Sequence, residues 1–193
     1  MPRLRGPLRR EQLMQVATKL FAERGYDATT TAAIAEAAGV TEPVLYRHFA
    51  GKREMFAAIL NSTILRMIQR WGGILQSTSD PATQIRAIAA GFPKHVEELH
   101  DDHRLLHGAI ATARDEDVKS VLRAHYDQFV ELFAELVRRG QAAGIFQKDI
   151  DAVQAAWLLV NLGTGYAFLR LGMGIENVDV RLEVELAIKS LCV

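Results

Sequence analysis

Residues 29–52, TTTAAIAEAAGVTEPVLYRHFAGK, constrain the fold of this 193-residue chain more than any other stretch. They read as two short helices joined by a glycine turn and followed by a tyrosine, histidine and lysine cluster, which is how a DNA-reading unit is built. The first short helix opens at Thr30, whose hydroxyl can accept from an N–H of the opening turn, and runs through Ile34, Ala35 and Ala38. Gly39 ends it, because glycine reaches a left-handed backbone at no steric cost. Val40 plugs the angle between the helices. Thr41 is expected to repeat the N-cap chemistry, and Pro43 falls in the first turn of the next helix, where its missing N–H is not needed. Leu45 and Phe49, four apart, face inward together. Glu42, Pro43, Val44, Arg47 and His48 are left on or near the outer side, where a major groove would meet them.

The preceding helix supports this reading. Leu13, Val16, Ala17, Leu20 and Phe21 follow the offsets of one apolar helical face, and Gly25 stops the helix. The run AxxLFAERGYDATTTAAIAEAAGVTEPVLYRHFAGKREMFAAIL resembles the N-terminal domain of the tetracycline-repressor (TetR) family of transcription regulators. The resemblance covers roughly residues 10–60, about a quarter of the chain, and many positions agree at fixed spacing. It implies that Thr31, Tyr46, His48 and Lys52 contact phosphates and that Thr41, Glu42, Pro43 and Val44 face bases. Two departures stand out. Ala32 and Ala33 replace side chains that are often charged in relatives, implying fewer phosphate contacts from the first short helix. Glu42 is an acid facing a polyanion; it is open to two readings, as an acceptor for a cytosine amino group or as a helix-start carboxylate favoured by the macrodipole.

The net charge is zero, but it is unevenly placed. Residues 1–53 carry nine Lys and Arg against five Asp and Glu, a balance of +4, and residues 54–193 carry fourteen against eighteen, a balance of −4. The basic end coincides with the DNA unit. Arg3, Arg5, Arg9 and Arg10 form an N-terminal arm that can follow a phosphate backbone or enter a minor groove, or be a solvated tail. Met1–Arg10 lacks the apolar segment of a secretory signal, and the single Cys192 excludes an internal disulfide, so a reducing cytoplasm is expected. No phosphate-binding loop, dinucleotide fingerprint, HExxH or GxSxG is present; no enzyme and no cofactor are expected.

The rest reads as helices, about nine in total, in an all-α chain divided into a DNA-binding domain over 1–51 and a ligand-binding and dimerisation domain over 52–193. Lys52 to about Leu75 carries Phe56, Ile59, Leu60, Thr63, Ile64, Met67 and Trp71 on one side. Asp80 and Pro81 start a helix reaching roughly His100, Asp101 or Asp102 can cap a shorter one, and Asp115 to Asp117 opens a long one that Gly144 ends. Asp151 starts a helix over Ala152–Leu171, and Val180–Leu191 forms the last. Between Asp151 and Arg170 no residue is charged, a length approaching a membrane span, yet Gln154, Asn161, Thr164 and two glycines argue against one. A helix apolar all round in a soluble chain is buried on two sides, here the second by another subunit, with Gly163, Thr164 and Ala167 allowing close approach. The TetR resemblance also implies a homodimer through the last two helices, and two recognition helices about a twofold axis read an inverted repeat in double-stranded DNA.

The resemblance further implies a pocket for a small-molecule inducer, for which Trp71, Phe92, Tyr126, Phe129, Phe133 and Trp157 are candidates, although an aromatic stripe is usually core. His103 and His107 share a helix face and fit an acidic ligand, a pH response or a metal. Two histidines do not make a metal site, and none is assigned. The expected function is a ligand-responsive regulator, a repressor released by its inducer. The competing reading is a TetR-like carrier of lipid or small molecules without specific DNA binding, favoured by the zero net charge and the paired alanines; an enzyme using the histidines comes third.

Overall fold

The computed structural model describes residues 6–112, 114 and 116–193. Arg3, Arg5, Asp115 and the side chain of Met67 lie outside the described residues. Among those described, the chain forms nine α-helices: α1 (Gly6–Arg24), α2 (Thr31–Ala37), α3 (Glu42–Tyr46), α4 (Lys52–Ser77), α5 (Pro81–Glu98), α6 (His100–Thr112), α7 (Glu116–Ala142), α8 (Ala152–Met173) and α9 (Val180–Leu191). They gather into two compact units, one holding the chain up to Ile64 with Asp101–Arg123, the other Leu65–His100 with Ala124–Val193.

The first unit is built on α1 to α3. Leu13, Ala17, Leu20 and Phe21 of α1 are buried with Ile34 and Ala35 of α2, Leu45 of α3 and Phe49 just after it. Tyr26 and Phe56 add an aromatic trio with Phe21, centroids 5.0–6.1 Å apart. The corners follow local chemistry. Thr30 caps α2 by accepting from the Ala33 N–H at 3.1 Å. Gly39, at φ +66°, closes α2 in a Schellman motif in which the Val40 N–H reaches the Ala35 carbonyl at 2.9 Å and the Gly39 N–H reaches that of Glu36 at 3.0 Å.

Two expected caps are absent. Thr41 stands at the start of α3 in extended conformation, but its hydroxyl makes no capping bond. Pro43 removes the N–H of the second helical position, and the Val44 N–H is taken by the Thr41 carbonyl at 2.9 Å, so the hydroxyl has no donor left. Asp101 and Asp102 also do not stand at the N-cap position of α6. That helix begins at His100, with only Leu99 between it and the end of α5, which places both carboxylates inside its first turn. Asp102 instead accepts from the Thr63 hydroxyl of α4 at 2.5 Å.

In the second unit α5, α8 and α9 pack against one another. Asp80, Asp151 and Asp179 cap them, each carboxylate accepting from N–H groups of the first turn at 2.9–3.0 Å. Gly163 of α8 admits the Phe92 ring of α5, since a β-carbon there would stand 3.3 Å from it. Gly140 admits Phe146 more tightly still, and Gly144 at φ +72° turns the chain so that Phe146 folds back onto α7. The last residues are tied to this corner by Gln147 N–H to Leu191 O at 2.8 Å and Val193 N–H to Ile145 O at 3.3 Å. By length and composition alone α8 is apolar enough to cross a membrane, with a mean hydropathy of 1.3.

Candidate nucleic-acid interface

On the outer side of α2 and α3, Thr41, Pro43, Tyr46 and Arg47 are exposed, and Thr31, Glu42, Val44 and His48 are half-buried. Three of these side chains form a chain of hydrogen bonds. The Thr31 hydroxyl donates to Glu42 Oε1 at 2.7 Å and stands 3.2 Å from the Tyr46 hydroxyl. A hydroxyl carries a single proton. With the Thr31 proton on the carboxylate, the Tyr46 proton points to the Thr31 oxygen.

The geometry of Lys52 differs from that of a free phosphate contact. Its ammonium donates to the Tyr26 carbonyl at 2.9 Å and the Asp27 carbonyl at 3.3 Å, and lies 4.3 Å from the centroid of the Tyr26 ring. Partial burial holds its pKa below the ordinary lysine value, and the Asp27 charge opposes that shift. Lys52 thus pins the α1–α2 turn to the start of α4. Thr29 does related work that its place in the TTT run concealed: fully buried, its hydroxyl lies 2.8 Å from Gly25 O and 3.2 Å from Leu20 O at the end of α1. Gln12 ties α1 to the corner by donating to Ala38 O at 3.3 Å, and the Arg10 guanidinium lies 4.6 Å from the Phe49 ring centroid.

The other candidate residues fall in two places. Trp71, Phe92, Tyr126, Phe129, Phe133 and Trp157 all belong to the second unit. Trp71 meets Phe129 and Phe133 at 6.3 and 6.0 Å, and Tyr126 stacks on Trp157 at 6.4 Å. Two further buried histidines sit in this cluster. His95 lies 5.9 Å from Phe92 and 6.4 Å from Trp71, and His125 lies 5.0 Å from Phe129. Burial lowers the pKa of His95 to about 4, with Arg70 acting the same way, Glu98 opposing and Arg66 adding a little. Burial raises that of Tyr126, against a hydrogen bond with Thr164. His103 and His107 are neighbours on α6 in the first unit, ring centroids 6.2 Å apart, and burial lowers the pKa of His107. Among the described residues no three His, Cys, Asp or Glu side chains are grouped to hold a metal ion.

A short helix pair turning on a glycine, braced by a third helix and followed by a larger helical body, defines a helix-turn-helix regulator. The profile described as "Bacterial regulatory proteins, tetR family" matches residues 13–59, and "Tetracyclin repressor-like, C-terminal domain" matches residues 81–173. The HTH-type transcriptional repressor KstR2 of Rhodococcus jostii is 30% identical over 166 residues, covering 79% of this chain and 78% of that protein. The HTH-type transcriptional activator FasR of Mycolicibacterium smegmatis is 35% identical over 98 residues, covering 51% of this chain and 45% of that protein. A solved TetR-like transcriptional regulator from Rhodococcus sp. RHA1 superposes with a TM-score of 0.75 at 26% identity, covering 97% of this chain and 98% of that one. The chain belongs to the TetR family of transcriptional regulators.

Proposed function

We propose that this regulator is a cytoplasmic homodimeric repressor that reads an inverted-repeat operator and is released by a small-molecule inducer. The observation that carries the dimer, and with it the repeat, is a seam along α8. Gln154, Leu158, Asn161, Phe168 and Gly172 are exposed, and with half-buried Gly165 they recur at alternating intervals of four and three residues. That is the spacing of a helix stripe that packs on another helix. Beside it α9 leaves Leu182 and Leu186 66% and 67% exposed. Apolar side chains this open on two adjoining helices fit an isologous face, α8 and α9 meeting their copies about a twofold axis.

In the dimer each DNA-binding domain, residues 1–51, presents α3 to one half-site. Thr41, Glu42, Pro43 and Val44 face bases and Arg47 lies on the groove side, while Thr31, Tyr46 and His48 face phosphates, with Lys52 at the rim bracing the turn. Repression follows the KstR2 precedent, and FasR is the relative that stands against assuming it. The inducer site belongs to residues 52–193. The aromatic side chains of the second unit, Trp71, Phe92, Phe129 and Phe133 foremost, favour an apolar molecule. Ligand binding shifts the population toward a conformation with mismatched recognition helices; a coupling of about 1–3 kcal/mol changes operator occupancy from several-fold to about a hundredfold.

The test is selection of genomic DNA fragments by the purified protein, with sedimentation to give its mass. The expected result is a recurring inverted repeat, a dimer, affinity that falls as salt rises, and loss of both dimer and repeat binding in Leu158→Glu/Phe168→Glu. No preference among fragments at low salt, with tight binding of an apolar small molecule retained, would establish the carrier reading instead.

A further inference from the structure

The hydrogen-bond chain on α2 and α3 has a direction. It runs from the Tyr46 hydroxyl through the Thr31 hydroxyl to the Glu42 carboxylate, so both protons that a DNA phosphate would need from these two residues are spent inside the protein. A phosphate is acceptor-only at its oxygens and cannot replace the carboxylate without turning Thr31 away from it. The freed carboxylate would then stand beside a polyanion with an unused acceptor, a costly arrangement in a drying interface. The cost vanishes if a donor on the DNA takes the carboxylate in place of Thr31. In the major groove such donors are the exocyclic amino groups of cytosine and adenine.

We propose that Glu42 is a specificity-determining residue that makes the phosphate contacts of Thr31 and Tyr46 conditional on a base. On non-matching DNA Glu42 keeps the Thr31 proton and repels the backbone. On a matching half-site an amino group hydrogen-bonds the carboxylate, the Thr31 hydroxyl swings to the phosphate, and Tyr46 follows. No bond other than hydrogen bonds is made or broken. One acid therefore raises discrimination twice, by penalising random sequence and by releasing two donors on the right one. The proposal rests on the DNA-binding reading above.

The experiment compares wild type, Glu42→Ala, Glu42→Gln and Thr31→Val, the last also combined with Glu42→Ala, on two probes: random-sequence duplex, and the duplex that wild-type protein enriches from a random pool. Circular dichroism and thermal melting confirm folding, and Glu42→Gln keeps an acceptor for Thr31 without the charge. Glu42→Ala should bind random duplex about fivefold more tightly, the effect of removing one charge near a phosphate, and the ratio of selected to random affinity should fall at least about tenfold. A fresh selection with Glu42→Ala should lose the cytosine or adenine preference at one position per half-site. Thr31→Val should change random-duplex binding little in the wild type and weaken it in the Glu42→Ala background, because only there is the hydroxyl free. If wild type selects a sequence but Glu42→Ala leaves random-duplex affinity and base preference unchanged, the acid is a solvated helix-start residue and the proposal fails while the regulator reading stands. If wild type selects no sequence, both fail.

Discussion

The helix-turn-helix corner and the α8–α9 face differ in how each is held. Around α1 to α3, individual residues with one or two specific partners set the geometry: Thr29, Thr30, Gly39 and, from the start of α4, Lys52 each close one turn. In α8 and α9, helix ends are capped by Asp151 and Asp179, while the length between depends on broad apolar contact, one side buried and the other left with Leu158, Phe168, Leu182 and Leu186 outward. The difference separates stability held by local bonds from stability held by apolar area. A corner built of individual bonds is complete in one copy. If α8 and α9 pair with their copies as proposed, their exposed leucines and phenylalanine gain stability from association, which makes it concentration-dependent.

Phe49, 1% exposed, and Phe168, 50% exposed, are the same residue in the two settings. Phe49→Ala should lower unfolding free energy by about 3–5 kcal/mol at any protein concentration, since it empties the core under the recognition helix and the Arg10 contact. Phe168→Ala should cost under about 1 kcal/mol at high dilution and more as concentration rises. Denaturant titrations over a range of concentrations measure both; a concentration-independent loss at Phe168 would remove the face from the dimer argument.

The next effect lies in the second unit's aromatic cluster. His95 is buried and its pKa is lowered to about 4 from 6.5, so the folded state holds it neutral while the unfolded chain takes up a proton first as pH falls. Its neutral form therefore contributes full stability above pH 6.5, and about 3 kcal/mol is lost on acidification from there to pH 4. Arg70 and Arg66 push in the same direction as burial and Glu98 against it. His95→Leu should flatten the stability curve across this window in denaturant titrations; an unchanged slope would mean the proton finds solvent in the folded state.

How much of this was legible in the sequence tracks the reach of the interactions. Thr30, Gly39, Gly144 and Asp151 act within a few residues of themselves, and the pattern announces them. Leu45 with Phe49, and the whole of α9, follow from periodicity. Thr41 makes no cap because Pro43 lacks one N–H its hydroxyl could accept from and the Thr41 carbonyl takes the other, that of Val44. Asp102 finds Thr63 thirty-nine residues away, and Lys52 finds Tyr26 twenty-six residues away; no local pattern encodes such a choice of partner. The Glu42 bond to Thr31 was hidden for the same reason, since it exists only once the Gly39 corner has folded α3 back toward α2.

The smallest expected effect concerns one device, the helix N-cap, present in both regions. Thr30 caps α2 with a neutral hydroxyl and one N–H, whereas Asp151 caps α8 with a carboxylate that accepts from the Val153 and Gln154 N–H groups at 2.9 Å each. Charge and a second bond favour the aspartate, and the helix macrodipole adds to it, so Asp151→Ala should cost about 1–2 kcal/mol and Thr30→Ala about 0.5–1 kcal/mol. Function should rank them the other way. α2 has seven residues and carries Thr31 in its first turn, so loosening its start disperses the hydroxyl that Glu42 and Tyr46 hold in place. α8 has twenty-two residues and loses only one end. Thr30→Ala should therefore weaken binding to a selected duplex more than Asp151→Ala does, with Thr30→Ser restoring it; equal losses in the two alanine variants would show that the corner is held by its core and not by its individual bonds.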